Sequence, residues 1–161
     1  MLQKLDLVRR LREYDFSKNP ETGEERIYRA RGFGNALCIL RGHADLVINP
    51  NKSKERKKEI INKMYEDYGF IASSYASIDF EELEHHREIA AVDLLFEGEK
   101  QVKALGRSLN TFVNTCNRYI DTQEGFPEVV LEYEELRRTI GKVQELGDYR
   151  TLVKSLEEVR E

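Results

Sequence analysis

Residues 80–122 read FEELEHHREIAAVDLLFEGEKQVKALGRSLNTFVNTCNRYIDT, and this stretch decides the fold. No proline interrupts it. Asp79 stands just ahead, three positions before Glu82, in a capping arrangement, and Glu81, Glu82 and Glu84 crowd the first turn, where the macrodipole favours anions. Leu95, Val102, Leu109 and Cys116 recur every seven residues, and Leu105, Phe112 and Tyr119 fall three positions after the last three of them. That is an a/d seam, interrupted at Gly98. Upstream, Leu83, Ile89, Val92 and Phe96 form a broader stripe of shifted phase, suited to globular packing. A continuous helix here would be about 65 Å long, against about 30 Å for the width of a compact domain of this size. Such a helix must project or lie along a partner. The seam Leu95, Val102, Leu105, Leu109, Phe112 and Tyr119 is therefore expected to meet a second copy or another protein's helix.

The rest of the second half continues the helical pattern. Asp121 to Gly125 reads as a turn and Pro127 suits a helix start. Val129, Tyr133, Leu136, Ile140 and Val143 then make an apolar stripe that Gly147 stops. Asp148 caps a last helix carrying Leu152 and Leu156. The expected fold is all-α, a helical bundle with a long coiled-coil-like helical hairpin, within a single domain over residues 1–161. In the first half, residues 2–14 read as helix and Asn19 to Gly23 as a turn. Residues 24–34 read as a small irregular or β element. Asn35 to Ile48 keeps helical spacing through Leu37, Leu40, Ala44 and Val47, Pro50 ends it, and Lys54 to Tyr68 is a further helix.

Composition narrows the functional classes. Charged residues are 35 % of the 161, above the roughly 25 % of an average globular protein, so the core must be assembled from amphipathic surfaces. The run of ~18 apolar residues that a membrane span needs is missing, and no signal peptide follows Met1. A cytoplasmic protein with no membrane partner is expected. Cys38 and Cys116 lie far apart with no Cys-x-x-Cys pair, which excludes a disulfide scaffold or zinc ribbon. Residues 1–63 hold 15 Lys plus Arg and 9 Asp plus Glu, whereas residues 64–161 hold 11 and 21. A basic, less regular half thus precedes an acidic helical half, as suits two faces with different partners.

No constellation for catalysis emerges. Glu82 and His85 have Glu-x-x-His spacing, but carboxylate-bridged metal bundles use two such motifs and further glutamates. Glu81 and Glu84 lack a second acidic pair downstream to share a magnesium ion. Cys116 falls in the apolar seam and Cys38 among Ala36, Leu37, Ile39 and Leu40, which reads as packing. Neither Gly-x-Ser-x-Gly nor a Walker sequence is present. The expectation is no catalytic residue, no metal and no cofactor.

Binding is better supported. Lys52, Lys54, Arg56, Lys57 and Lys58 crowd the start of a helix, where cations oppose the dipole and a phosphate or acidic surface would relieve the repulsion. Arg29 and Arg31 flank a Gly-x-Gly loop and join that cluster as candidate anion or nucleic-acid contacts. Arg31-Gly32-Phe33-Gly34 resembles the opening of the RNA-recognition-motif signature. The next positions, Asn35, Ala36, Leu37 and Cys38, lack its aromatics, so no stacking platform continues beyond Phe33. The sequence thus points to a non-catalytic helical interaction protein, a small subunit or inhibitor that engages a macromolecular complex and self-associates. The alternative is a nucleic-acid-binding accessory protein using the basic N-terminal half.

Overall fold

The computed structural model describes residues 4–13, 23–76 and 78–158. Every regular element among them is helical: α1 (Lys4–Glu13), α2 (Gly23–Val47), α3 (Lys54–Ala76), α4 (Phe80–Leu83), α5 (Ala90–Thr122), α6 (Phe126–Leu146) and α7 (Tyr149–Glu157), with a single 3₁₀ turn at Glu84–His86. The four long helices close a ring in which α2 packs on α3, α3 on α5, α5 on α6 and α6 back on α2. Polar contacts mark each interface. His43 Nδ1 meets Asp67 Oδ2 at 2.7 Å between α2 and α3, and the Tyr68 hydroxyl donates to the Val102 carbonyl at 3.1 Å between α3 and α5. The Ser108 and Thr139 hydroxyls meet at 3.2 Å between α5 and α6, and the Tyr133 hydroxyl reaches Asp45 between α6 and α2. Along every interface the residue numbers run in opposite senses, so the helices alternate up and down, the arrangement that short connections between bundle neighbours impose.

The connections follow local chemistry. Pro50 lies in the turn after α2, where the Asn51 N–H donates to Asn49 Oδ1 at 2.8 Å. Ser53 then opens α3, its hydroxyl accepting from the Arg56 N–H at 3.1 Å. At the end of α5 Gln123 takes the left-handed conformation (φ 61°), and Gly125 (φ 90°) completes the turn into α6, which carries Pro127 in its first turn.

Three sequence expectations are corrected. Residues 24–34 form no β element, since they lie within α2. Phe33, Leu37, Leu40, Ala44 and Val47 share its buried face, and that burial outweighs the helix cost of Gly32 and Gly34. It also removes the resemblance to an RNA-binding strand, because Phe33 packs against Tyr75 with ring centroids 6.1 Å apart. Secondly, the long helix is not continuous from Phe80. α4 ends at Leu83, the 3₁₀ turn follows, and Ile89 is extended (ψ 122°) ahead of α5. The phase shift between the two stripes marks this break. Thirdly, the seam expected to meet a partner is covered within the chain itself. Leu95, Val102, Leu105, Leu109, Phe112 and Cys116 are all buried within the single chain, Leu109 at 0 % exposure. α3 covers one flank of α5 and α6 the other. With 33 residues against 21, α5 outruns α6 by about 18 Å, and there α7 folds back against it. Of the expected turn Asn19 to Gly23, Gly23 begins α2 and the rest lies outside the described residues.

The fit of α3 on α5 depends on two glycines. The hydroxyls of Tyr75 and Tyr68 sit directly over Gly98 and Gly106, where any side chain would collide with them. Gly98, an interruption of the seam in sequence, is the notch that lets Tyr75 into the core.

Candidate functional site

The basic cluster lies at one end of the bundle, where the α2–α3 and α5–α6 turns meet. Its members differ in what they touch. Arg56 pairs with Glu59 at 2.9 Å, and Lys58 with Asp121 of α5 at 3.6 Å. Both pairs are largely solvent-exposed, so each neutralises a cation while adding little stability. Lys52 and Lys54 make no ion pair, Lys52 half-buried in the turn and Lys54 exposed as the first residue of α3. Lys57 is buried, at 8 % exposure, and its ammonium has no hydrogen-bonding or ionic partner. Its charge acts on the Cys116 thiol of α5. Burial pushes that thiol up to about 12, and the Lys57 charge opposes the shift.

Arg29 and Arg31 do not join this cluster. They stand near the start of α2, about 25 Å along the helix from its end beside α3, and their side chains lie outside the described ones. The anion site expected from seven cations is therefore a site of five, two of them already paired. The seam residues Leu95, Val102, Leu105, Leu109 and Phe112 are interior, and Tyr119 is half-buried against Phe126 with centroids 5.4 Å apart. They build the core on which the surface sites rest.

A second surface was not legible in the sequence. On the outer side of the α2–α3 interface, His43 and Asp67 form the 2.7 Å pair, both mostly covered. Burial raises the Asp67 carboxyl above its usual range, while the hydrogen bond and charge of His43 pull it back and neighbouring Glu66 adds to the rise. Ile39 precedes His43 by one turn and Phe70 follows Asp67 by nearly one turn. Because the helices are antiparallel, the two apolar side chains come to the same level on the same side of this pair. Ile39 is 48 % exposed and Phe70 44 %. Each stands in a helix whose apolar residues are otherwise mostly buried, so only the antiparallel register of α2 against α3 brings the two together as one patch.

The remaining candidates are weaker. Glu82 is bound by Arg10 of α1, and His85 is exposed in the 3₁₀ turn, so the Glu-x-x-His spacing no longer lies on one regular helix. Among the described residues no group of three or more His, Cys, Asp or Glu side chains is placed to hold a metal ion. A groove of about 380 Å³ runs between α5 and α6, lined by Arg107, Ser108, Glu132, Arg138 and Lys142 among others. Its charges are mixed, and Arg138 is already paired with Glu135. Cys38 is exposed beside Gln144, and Cys116 is buried. No helix among the described residues is long and apolar enough to cross a membrane.

Against this geometry, comparison with known proteins brings no match: no family model fits the chain, and neither a curated protein nor a solved structure resembles it at the level required.

Proposed function

We propose that the protein is a non-catalytic helical interaction protein, a small subunit or inhibitor of the cytoplasm that associates with its own kind and with a protein partner through the outer face of α2 and α3. The observation that carries this reading is the pairing of Ile39 and Phe70, each nearly half exposed, at one level one turn to the same side of the His43–Asp67 contact. Two large apolar groups at one level, with polar side chains around them, offer the apolar centre and wet rim of a small interface. The free thiols Cys38 and Cys116 suit a reducing compartment. The surface replaces the α5 seam as the place of self-association, since the seam is covered within the chain.

Light scattering on purified protein over a range reaching high micromolar concentration tests it. The wild type should gain mass with concentration, and the double variant Ile39→Ser/Phe70→Ser should stay monomeric with an unchanged circular dichroism spectrum. A wild type that remains monomeric throughout, or a double variant that associates as before, would overturn the reading. The alternative function, a nucleic-acid-binding accessory protein, draws on a separate observation: the cations Lys52, Lys54 and Lys57 at the bundle end have no carboxylate partner.

A further inference from the structure

We propose that the start of α3 is a binding site for a single phosphate group, with Lys57 as its central cation. This inference is independent of the α2–α3 face and narrows the nucleic-acid alternative to one site. It starts from an anomaly. A cation more than nine-tenths buried is normally held by a carboxylate or a set of carbonyls, because leaving it unpaired is costly. Lys57 has neither.

The place it occupies explains what it could hold. Lys57 is the fourth residue of α3. Side chains on a helix lean toward its N-terminus, so the Lys57 stem runs back over the first turn, toward the open end of the bundle. In that turn the Ser53 hydroxyl takes the Arg56 N–H, and the Ser53 carbonyl takes the Lys57 N–H at 3.0 Å. The N–H groups of Lys54 and Glu55 have no protein acceptor. Two free N–H groups, the positive end of a 23-residue helix and an unpaired ammonium thus belong to one helix start. Lys52 and Lys54, also unpaired, stand at the rim. Glu55 is the carboxylate in the same turn; it is exposed and bonds to none of these cations. Arg56 and Lys58 are turned to Glu59 and Asp121 and leave the ligand to the other three. The chemistry selects a compact phosphate oxyanion with several acceptor oxygens, which a phosphomonoester provides as a dianion and a nucleic-acid backbone as a singly charged phosphodiester.

The test measures the thermal midpoint of the full chain in sodium phosphate against sodium chloride of equal ionic strength, with calorimetric titration of inorganic phosphate. Wild type should show a saturable, phosphate-specific rise in midpoint. Lys57→Met keeps the stem and removes the charge; it should bind phosphate at least about tenfold more weakly, as loss of one charge-assisted hydrogen bond implies. Lys63→Met, an exposed cation on the same helix outside the site, should bind as wild type. If Lys57→Met does not fold, Lys52→Ser/Lys54→Ser, confined to the rim, should still weaken binding. No phosphate-specific stabilisation of the wild type overturns the site, as does an unaltered titration in Lys57→Met or, where that variant is unfolded, in the rim double variant. Two further arms separate the sources. A single-stranded oligonucleotide that binds, is displaced by phosphate and is lost with the same variants assigns the group to nucleic acid. Stabilisation by a 5′-mononucleotide with no oligonucleotide binding keeps the site, assigns it to a free phosphomonoester and removes the nucleic-acid reading.

Discussion

Replacing Gly98 by alanine separates local helix energetics from packing. In an ordinary helix interior the change stabilises by roughly 0.5–1 kcal/mol, because glycine gives up more chain entropy on folding. At Gly98 the added methyl would lie 2.8 Å from Tyr75 Cζ and 2.9 Å from Cε1, with the hydroxyl oxygen nearer still. Tyr75 is 5 % exposed and rests on Phe33, so its ring has nowhere to turn. Overpacking of this kind costs about 1–3 kcal/mol. Set against the propensity gain, a net loss of about 1–2 kcal/mol is expected, a fall in Tm of about 2–8 °C for a chain of this length. Gly141 of α6 provides the control, since a Cβ there meets nothing within 4 Å. Gly141→Ala should raise stability by about 0.5–1 kcal/mol. Removing the hydroxyl as well, in Gly98→Ala/Tyr75→Phe, should recover part of the loss, so that the two changes are not additive. Denaturant unfolding followed by circular dichroism reads all four proteins. A Gly98→Ala variant at or above wild-type stability would refute the packing of α3 on α5 described above.

Three shorter predictions follow from burial and charge. Leu109→Asp places a carboxylate at a position with no exposure, which should cost more than about 4 kcal/mol; the variant should lose its helical signal, and retention of full helicity would contradict an intrachain seam. In native protein treated with a thiol reagent, the exposed Cys38 should react at once, and the buried Cys116, its thiol pushed up to about 12, only on unfolding; two fast thiols would refute the core placement. Asp67 binds its proton more tightly folded than unfolded, so its contribution to stability is full below its ordinary value of 3.8 and is lost as pH rises through the raised folded value. Asp67→Asn should therefore remove a downward slope in stability over that interval, and an unchanged pH profile would show that the burial of this carboxyl has no energetic weight.

Much of the helical architecture is local information. Asp79 and Asp148 cap where their side chains lie before apolar stripes, accepting from the Glu82 N–H at 3.2 Å and the Arg150 N–H at 2.8 Å. Gly125 and Pro127 set the turn into α6 because glycine tolerates a φ of 90° and proline fixes its φ near the helical value. The heptad stripe, likewise, identifies which face of α5 is apolar. It does not say what covers that face, since a partner's helix and the chain's own α3 and α6 present the same demand for apolar contact. Tertiary structure decided this in favour of the chain itself. It also turned residues 24–34 into helix, because the face carrying Phe33 and Leu37 gains more from burial than the glycines lose. The same division holds for the sites. A run of cations is visible in any sequence, but whether Arg29 joins Lys57 depends on where α2 begins and ends relative to α3. That Lys57 is buried without a partner, and that Ile39 stands level with Phe70, depends on the register of one helix against another. Side-chain type and spacing act within about one helical turn, whereas these relations span 24 residues or more of chain, from His43 to Asp67, and exist only once the bundle has closed.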